Sequence, residues 1–173
     1  MSKCFVTGYK GYIGSRVYKE LQAAGHEVMG IDLNINSKII MPGDKDILEG
    51  LEQYEEFAPE YIFHLACIPR VGYSVEQPVH TMINNVETKL YSELYGIDTV
   101  TLRYFNVYSP CQKASGPYAT AIANFMEFIR QGKNPFITGN GEQRRDMSHL
   151  EDVVSANIFA MEHEGNFGGQ YYD

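Results

Sequence analysis

The sequence predicts an α/β fold, a doubly wound parallel sheet of reduced size, on three observations. Strand-like apolar runs alternate with helical periods from the N-terminus onward. The first run opens into a glycine-rich turn, and the second closes on an acid. Such alternation calls for parallel strands joined by crossover helices, because each helix must pack back on the sheet before the next strand begins.

The elements follow in order. Residues 3–7 form a short apolar run that suits a buried parallel strand. Residues 12–24 are helical: Ile13, Val17 and Leu21 step by four along one face, and Gly25 stands where a C-terminal cap belongs. Residues 26–32 are a second strand and 37–41 a weaker third. A short helix is expected at 46–54 and an apolar strand at 61–66. In 78–95 the residues Val79, Ile83, Val86, Leu90 and Leu94 make one helical stripe that ends at Gly96. A strand follows at 98–104. The helix at 119–131 carries Ile122, Phe125, Met126 and Ile129 on one side. A short strand at 134–138 and a helix at 153–162 complete the series.

Composition narrows the function. With 173 residues, 44% hydrophobic and 21% charged, the chain is long enough for one domain and marginal for two. A net charge of −8 without a basic cluster argues against a nucleic-acid partner. No apolar run reaches the roughly 20 residues that span a bilayer, so no membrane is expected. The strand pattern begins at Lys3, so no leader peptide is expected. Cys4, Cys67 and Cys111 are odd in number and far apart, which suits neither a disulfide framework nor zinc; a reducing cytoplasm is the expected compartment.

The segment Thr7-Gly8-Tyr9-Lys10-Gly11-Tyr12-Ile13-Gly14 lies between strand and helix. Its spacing is G-x-x-G-x-x-G. Glycines there allow a sharp turn and remove side chains where a pyrophosphate must approach. The helix N-terminus offers amide N–H groups to the anion. Three glycines alone also describe an ordinary tight turn. Asp32 adds weight, since it closes the second strand 18 residues after Gly14. That is near the offset of about 20 residues at which an acid meets the adenosine ribose hydroxyls. Its carboxylate repels a 2′-phosphate, and no arginine occurs in 33–37, which favours NAD(H) over NADP(H).

Further motifs carry a resemblance. They are His64-Leu65-Ala66-Cys67, Tyr73-Ser74-Val75-Glu76-Gln77-Pro78, Asn84-Asn85-Val86, Leu102-Arg103-Tyr104-Phe105-Asn106-Val107-Tyr108-Ser109-Pro110, Gly139-Asn140-Gly141-Glu142-Gln143-Arg144-Arg145-Asp146 and Glu151-Asp152-Val153-Val154. With the opening loop, they resemble the extended short-chain dehydrogenase/reductases, in particular the NAD-dependent sugar-nucleotide epimerases and dehydratases. The resemblance implies a Rossmann-type sheet with NAD as cofactor. It implies that Gly8, Gly11, Tyr12, Ile13 and Gly14 hold the pyrophosphate, and that Asp32, Asn36 and Ser37 hold the adenosine ribose and its surroundings. Asp46 and Ile47 would flank the adenine, with Asp44 as an alternative register. Leu65, Ala66 and Cys67 would line the middle of the cofactor, and Asn85 and Tyr104 would approach the nicotinamide end. On the substrate side, Asn106 and Arg145 would meet a nucleotide diphosphate sugar, where an arginine fork suits phosphate oxygens. Arg145 has an alternative partner in Asp146 or Glu142. His64 reads as a packing residue at a strand end. By the same resemblance, residues 1–110 form the dinucleotide-binding core. Residues 111–173 form a remnant of the substrate-binding region packed on the same domain. Residues 168–173 resemble a strand after which the family continues further.

The family's chemistry implies a Tyr-x-x-x-Lys pair, its tyrosine moving a proton at the sugar hydroxyl and its lysine lowering the tyrosine pKa. No tyrosine in this chain is followed by lysine four positions on. The pair belongs between Asn85-Val86 and Leu94-Tyr95-Gly96, where only Glu87-Thr88-Lys89-Leu90-Tyr91-Ser92-Glu93 stands. No catalytic residue is assigned. The apolar stripe crosses this join in phase, so one helix is expected to lead from the strand at 61–66 to that at 98–104, making the two strands neighbours. Three functions stay open. The first is a minimised NAD(H)-binding relative of the epimerases. The second is an active enzyme with substitute residues among Tyr104, Tyr108, Tyr73 and Lys89. The third is an interaction module, with a homo-oligomer left open.

Overall fold

The computed structural model describes residues 1–32, 51–66, 96–110, 112, 114 and 119–173. The expected third strand at 37–41, the start of the helix at 46–54 and the whole helix at 78–95 lie outside the described residues. The described elements are β1 (Lys3–Thr7), α1 (Gly14–Ala23), β2 (Glu27–Ile31), α2 (Leu51–Phe57), β3 (Tyr61–His64), β4 (Val100–Leu102), α3 (Ala121–Arg130), α4 (Leu150–Glu162) and β5 (Gln170–Tyr172). Among them no helix is long and apolar enough to cross a membrane.

β1 pairs parallel with β2 on one side and with β3 on the other, giving the order β2-β1-β3. Its residues Cys4 to Thr7 are all buried. Alternation sends them to two cores. Cys4 and Val6 meet Val17 and Leu21 of α1, Phe63 of β3, and Leu150 and Val154 of α4. Phe5 points to the opposite face and meets Ile31 and Phe57. Helices thus cover both faces of the sheet, which is what doubly wound means physically.

The periodic face of α1 is the buried one, with Val17 and Leu21 fully shielded from solvent. Each such side chain contributes about 1.5–3 kcal/mol by leaving water. Gly25 ends the helix at φ +84°. Its N–H donates to the Gln22 carbonyl at 3.0 Å, and that of His26 to the Leu21 carbonyl at 3.1 Å. This is a paired C-terminal cap that requires a left-handed residue.

Four expectations change. First, α2 runs on to Phe57, since Tyr54 packs edge-on against Phe5 at 5.3 Å and Phe57 is core. It stops at Ala58, which precedes Pro59 and sits at φ +48°. Second, α4 begins at Leu150 because His149 caps it, its Nδ1 accepting from the Glu151 N–H at 3.3 Å. Third, residues 134–138 form no strand; Phe136 and Ile137 are exposed and lack a sheet neighbour among the described residues. Fourth, β3 and β4 are not neighbours. Among the described residues β3 pairs with β1, and β4 pairs parallel with β5 in a second sheet. Among the described residues α4 packs on both α1 and β4, so this helix links β4 to the first sheet.

Candidate functional site

The chain winds from β1 to β2 in one direction and later to β3 in the other. The carboxyl ends of β1 and β3 are thus the point where the winding reverses, the place at which open α/β sheets take their ligands. The turn after β1 fills this position. Gly8 follows Thr7 at φ +72° and donates to the Ile31 carbonyl at 2.8 Å. A Cβ on Gly8 would stand 2.7 Å from the Ala66 nitrogen and 2.8 Å from the Leu65 carbonyl carbon. A Cβ on Gly14 would run into the Gly8 carbonyl oxygen. Gly11 differs: it donates to the Gly8 carbonyl at 2.9 Å, and a Cβ there would meet only that oxygen, at 3.0 Å. Two of the glycines are thus demanded by backbone packing, whereas a Cβ on the third would press on one backbone oxygen only. Ile13 caps α1 without a side-chain hydrogen bond. The backbone N–H groups of Tyr12 and Ile13 find no acceptor among the described residues. A helix N-terminus in this state is an anion cradle.

Asp32 stands just beyond β2 beside this turn. Its Oδ2 accepts from the Lys10 N–H at 2.8 Å. The hydrogen bond brings the acid to the glycine turn, as the sequence spacing suggests. Thr7 was not singled out by sequence. Its buried hydroxyl accepts from the Ala66 N–H at 3.2 Å and lies 2.8 Å from His64 Nδ1. The Leu65 N–H donates to the Thr7 carbonyl at 3.2 Å. These bonds hold Leu65 and Ala66 against the turn, and they give His64 a structural partner.

The substrate-side candidates lie on a second wall. Residues 105–108 run beside 146–150: Ser148 donates to the Phe105 carbonyl at 3.2 Å, Tyr108 to the Ser148 carbonyl at 3.0 Å, and Leu150 to the Tyr108 carbonyl at 2.9 Å. Asn106 sits at φ +43° and its Nδ2 donates to the Asp146 carbonyl at 2.8 Å. Asn106 therefore abuts the residue next to Arg145. The Arg145 guanidinium is exposed and donates to the Arg144 carbonyl at 2.8 Å. Its expected alternatives, Asp146 and Glu142, are not its partners among the described residues. The Tyr12 hydroxyl donates to Ser109 Oγ at 2.7 Å and joins the two walls. Beyond Ser109 a recess of about 730 Å³ is lined in part by Tyr108, Ile122, Met126, Arg130 and His149.

Tyr104 is half-buried, and its hydroxyl accepts from Asn157 Nδ2 at 2.7 Å. Burial pushes its pKa up, outweighing the opposing effect of the Asn157 bond. This is the opposite direction from the lowered pKa that the family's tyrosine is expected to have. Asn157 also went unnoticed in the sequence, because a polar residue inside an apolar helix pattern gives no signal of its partner. Asn36, Ser37, Asp46, Ile47, Cys67 and Asn85 lie outside the described residues, as do Tyr73 and Lys89.

The fold and this turn define a Rossmann-type α/β domain. The sequence profile of the NAD dependent epimerase/dehydratase family matches residues 4–91 and 87–172. The chain belongs to that family. It is 28% identical over 245 aligned residues to a UDP-glucose 4-epimerase of Mycolicibacterium smegmatis, covering 99% of this chain and 76% of the relative. Among solved structures it is similar to UDP-glucose 4-epimerase from Thermotoga maritima with UDP-glucose, at 25% identity and a TM-score of 0.81, covering 98% of this chain and 75% of the other. It is also similar to the UDP-glucose 4-epimerase of Thermus thermophilus in complex with NAD, at 25% identity and a TM-score of 0.74, covering 98% and 76%.

Proposed function

We propose that this chain binds NAD(H) at the glycine turn and Asp32, and a nucleotide diphosphate sugar at Asn106 and Arg145. We read it as a minimised relative of the sugar-nucleotide epimerases and dehydratases that lacks their usual tyrosine–lysine pair. The observation that carries the reading is the turn itself. Gly8 and Gly14 are sterically required, Gly11 bonds back to the Gly8 carbonyl and carries no side chain on the turn, and Asp32 is drawn against the same backbone. These features fit a dinucleotide: amides of 12 and 13 for the pyrophosphate, a carboxylate for the ribose. When bound, NAD supplies a hydride acceptor. The chain's own residues would orient the adenosine half by Asp32 and place phosphate oxygens on Arg145. Arg145 leaves its fork exposed for that role.

The division into a dinucleotide-binding core at 1–110 and a substrate-side remnant at 111–173 belongs to this proposal. Two features support the missing catalytic segment. The family profile matches in two spans that meet at 87–91. The alignment with the mycobacterial relative runs over 245 residues, although this chain has 173. The relative thus holds residues for which this chain has no counterpart.

Thermal unfolding with and without NAD and NADH tests the proposal. A ligand at a hundredfold excess over its Kd stabilises the native state by roughly 3 kcal/mol. In a domain of this size that raises Tm by about 5–10 °C. No shift at millimolar cofactor would sink the reading.

A further inference from the structure

The Tyr12–Ser109 hydrogen bond links residues 97 positions apart, one in the glycine turn and one on the opposite wall. We propose that this hydroxyl pair couples the two sites, with Tyr12 and Ser109 as positioning residues, so that filling either site tightens the other. The inference rests on the two-site reading above.

The geometry supplies the mechanism. The main chain of Tyr12 lies where the pyrophosphate would bind, and the residue is 38% exposed. Ser109 directly follows the backbone pairing of Tyr108 with Ser148 and Leu150. Asn106 lies three residues earlier at φ +43°, a conformation that needs support from its surroundings. Beneath the pair, Ile13 and Val107 pack against the same core cluster. The apolar base of the two walls is therefore fixed, while the hydroxyl pair sits at the exposed surface. There water competes for both hydroxyls, and the bond is worth little while its partners move. A ligand on the turn immobilises the Tyr12 main chain and meets that ordering cost. Ser109, and with it Asn106, is then already held when the second ligand arrives. Linkage makes the effect reciprocal.

The test is calorimetric titration of UDP into the full chain, with and without saturating NAD. In the wild-type protein NAD should lower the UDP Kd about five-fold, at the low end for coupled sites. Tyr12→Phe and Ser109→Ala should each abolish most of that gain. The double variant should lose no more than either single one, because one bond is removed once. Ser109→Ala should bind NAD alone as the wild type does, and Ser109→Thr, which keeps a hydroxyl, should restore the coupling. If the wild type binds both ligands without coupling, or the variants keep it, this inference alone is overturned. If the wild type fails to bind either ligand, the two-site reading falls and the coupling with it.

Discussion

At the scale of the residue, the three glycines of the turn do different work. Gly8→Ala forces a side chain into φ +72° and against the backbone of Leu65 and Ala66. The cost should be about 3 kcal/mol or more, from strain and overpacking combined. Gly11→Leu brings its Cβ to 3.0 Å from the Gly8 carbonyl oxygen alone, so it should cost less than Gly8→Ala yet lose NAD binding. Chemical denaturation without ligand, paired with NAD titration, separates the two. Equal stability of both variants would contradict the packing argument. The sequence spoke clearly about these positions, because glycine spacing is a local pattern with a local cause. It also brought out Asp32, whose reach to Lys10 spans 22 residues but follows from its place at a strand end. It offered Thr7 and Ser109 only as members of motifs, without a role, and did not bring out Asn157. Their roles depend on partners 57, 97 and 53 positions away, brought close only by folding.

Among the elements, the apolar stripe of α1 was legible and the stripe of α3 misled. In α1, Val17 and Leu21 reach the core as the period of four predicts. In α3 the same kind of stripe stays outside: Ile122, Met126 and Ile129 are 37%, 50% and 60% exposed, and only Ala123 is buried. Periodicity reports that a helix has an apolar face, not what covers it. Caps were read unevenly. Gly25 was visible because C-terminal caps favour glycine, whereas His149 was not, since histidine is no usual N-cap. The docking of α4 on α1 has two parts of unequal weight. Arg16 Nη2 reaches both carboxylate oxygens of Glu151 at 2.9 Å and Glu20 Oε1 at 3.1 Å, all at the surface. Leu21 lies in the shared core with Leu150 and Val154. Leu21→Ala should therefore cost about 2–5 kcal/mol, and Glu151→Gln about 0–1 kcal/mol. Urea unfolding of the two variants should rank them in that order; the reverse would mean that the helices are held by charge rather than by burial.

For the whole molecule, the doubly wound architecture was legible and the sheet connectivity was not. Alternating strands and helices fix the layers, but they do not say which strand edges meet. The expected contact between β3 and β4 was drawn from a helical phase at 78–95, and phase does not determine where a helix leads. Among the described residues the consequence is two unequal sheets. The β2-β1-β3 sheet has apolar cores on both faces. The β4–β5 sheet has no buried residue, and all of β5 is exposed. β5 is held instead by surface polar contacts: Asp98 accepts from the Phe167 and Gly168 N–H groups at 2.9 Å, and Arg103 forms a bidentate pair with Asp173 at 2.6 and 2.7 Å. Solvent-exposed contacts of this kind resist local opening weakly, whereas buried apolar contacts tie a strand to global unfolding. Native-state hydrogen exchange should therefore show the amides of Cys4–Thr7 exchanging only by global unfolding. Those of Val100–Leu102 and Gln170–Tyr172 should exchange earlier and together, as one unit. NAD should raise protection at Gly8 to Gly14 while leaving β5 nearly unchanged, because the turn grows from the well-packed sheet. Protection of β5 equal to that of β1 would show that the two sheets form one cooperative body, and that the division inferred from burial is wrong.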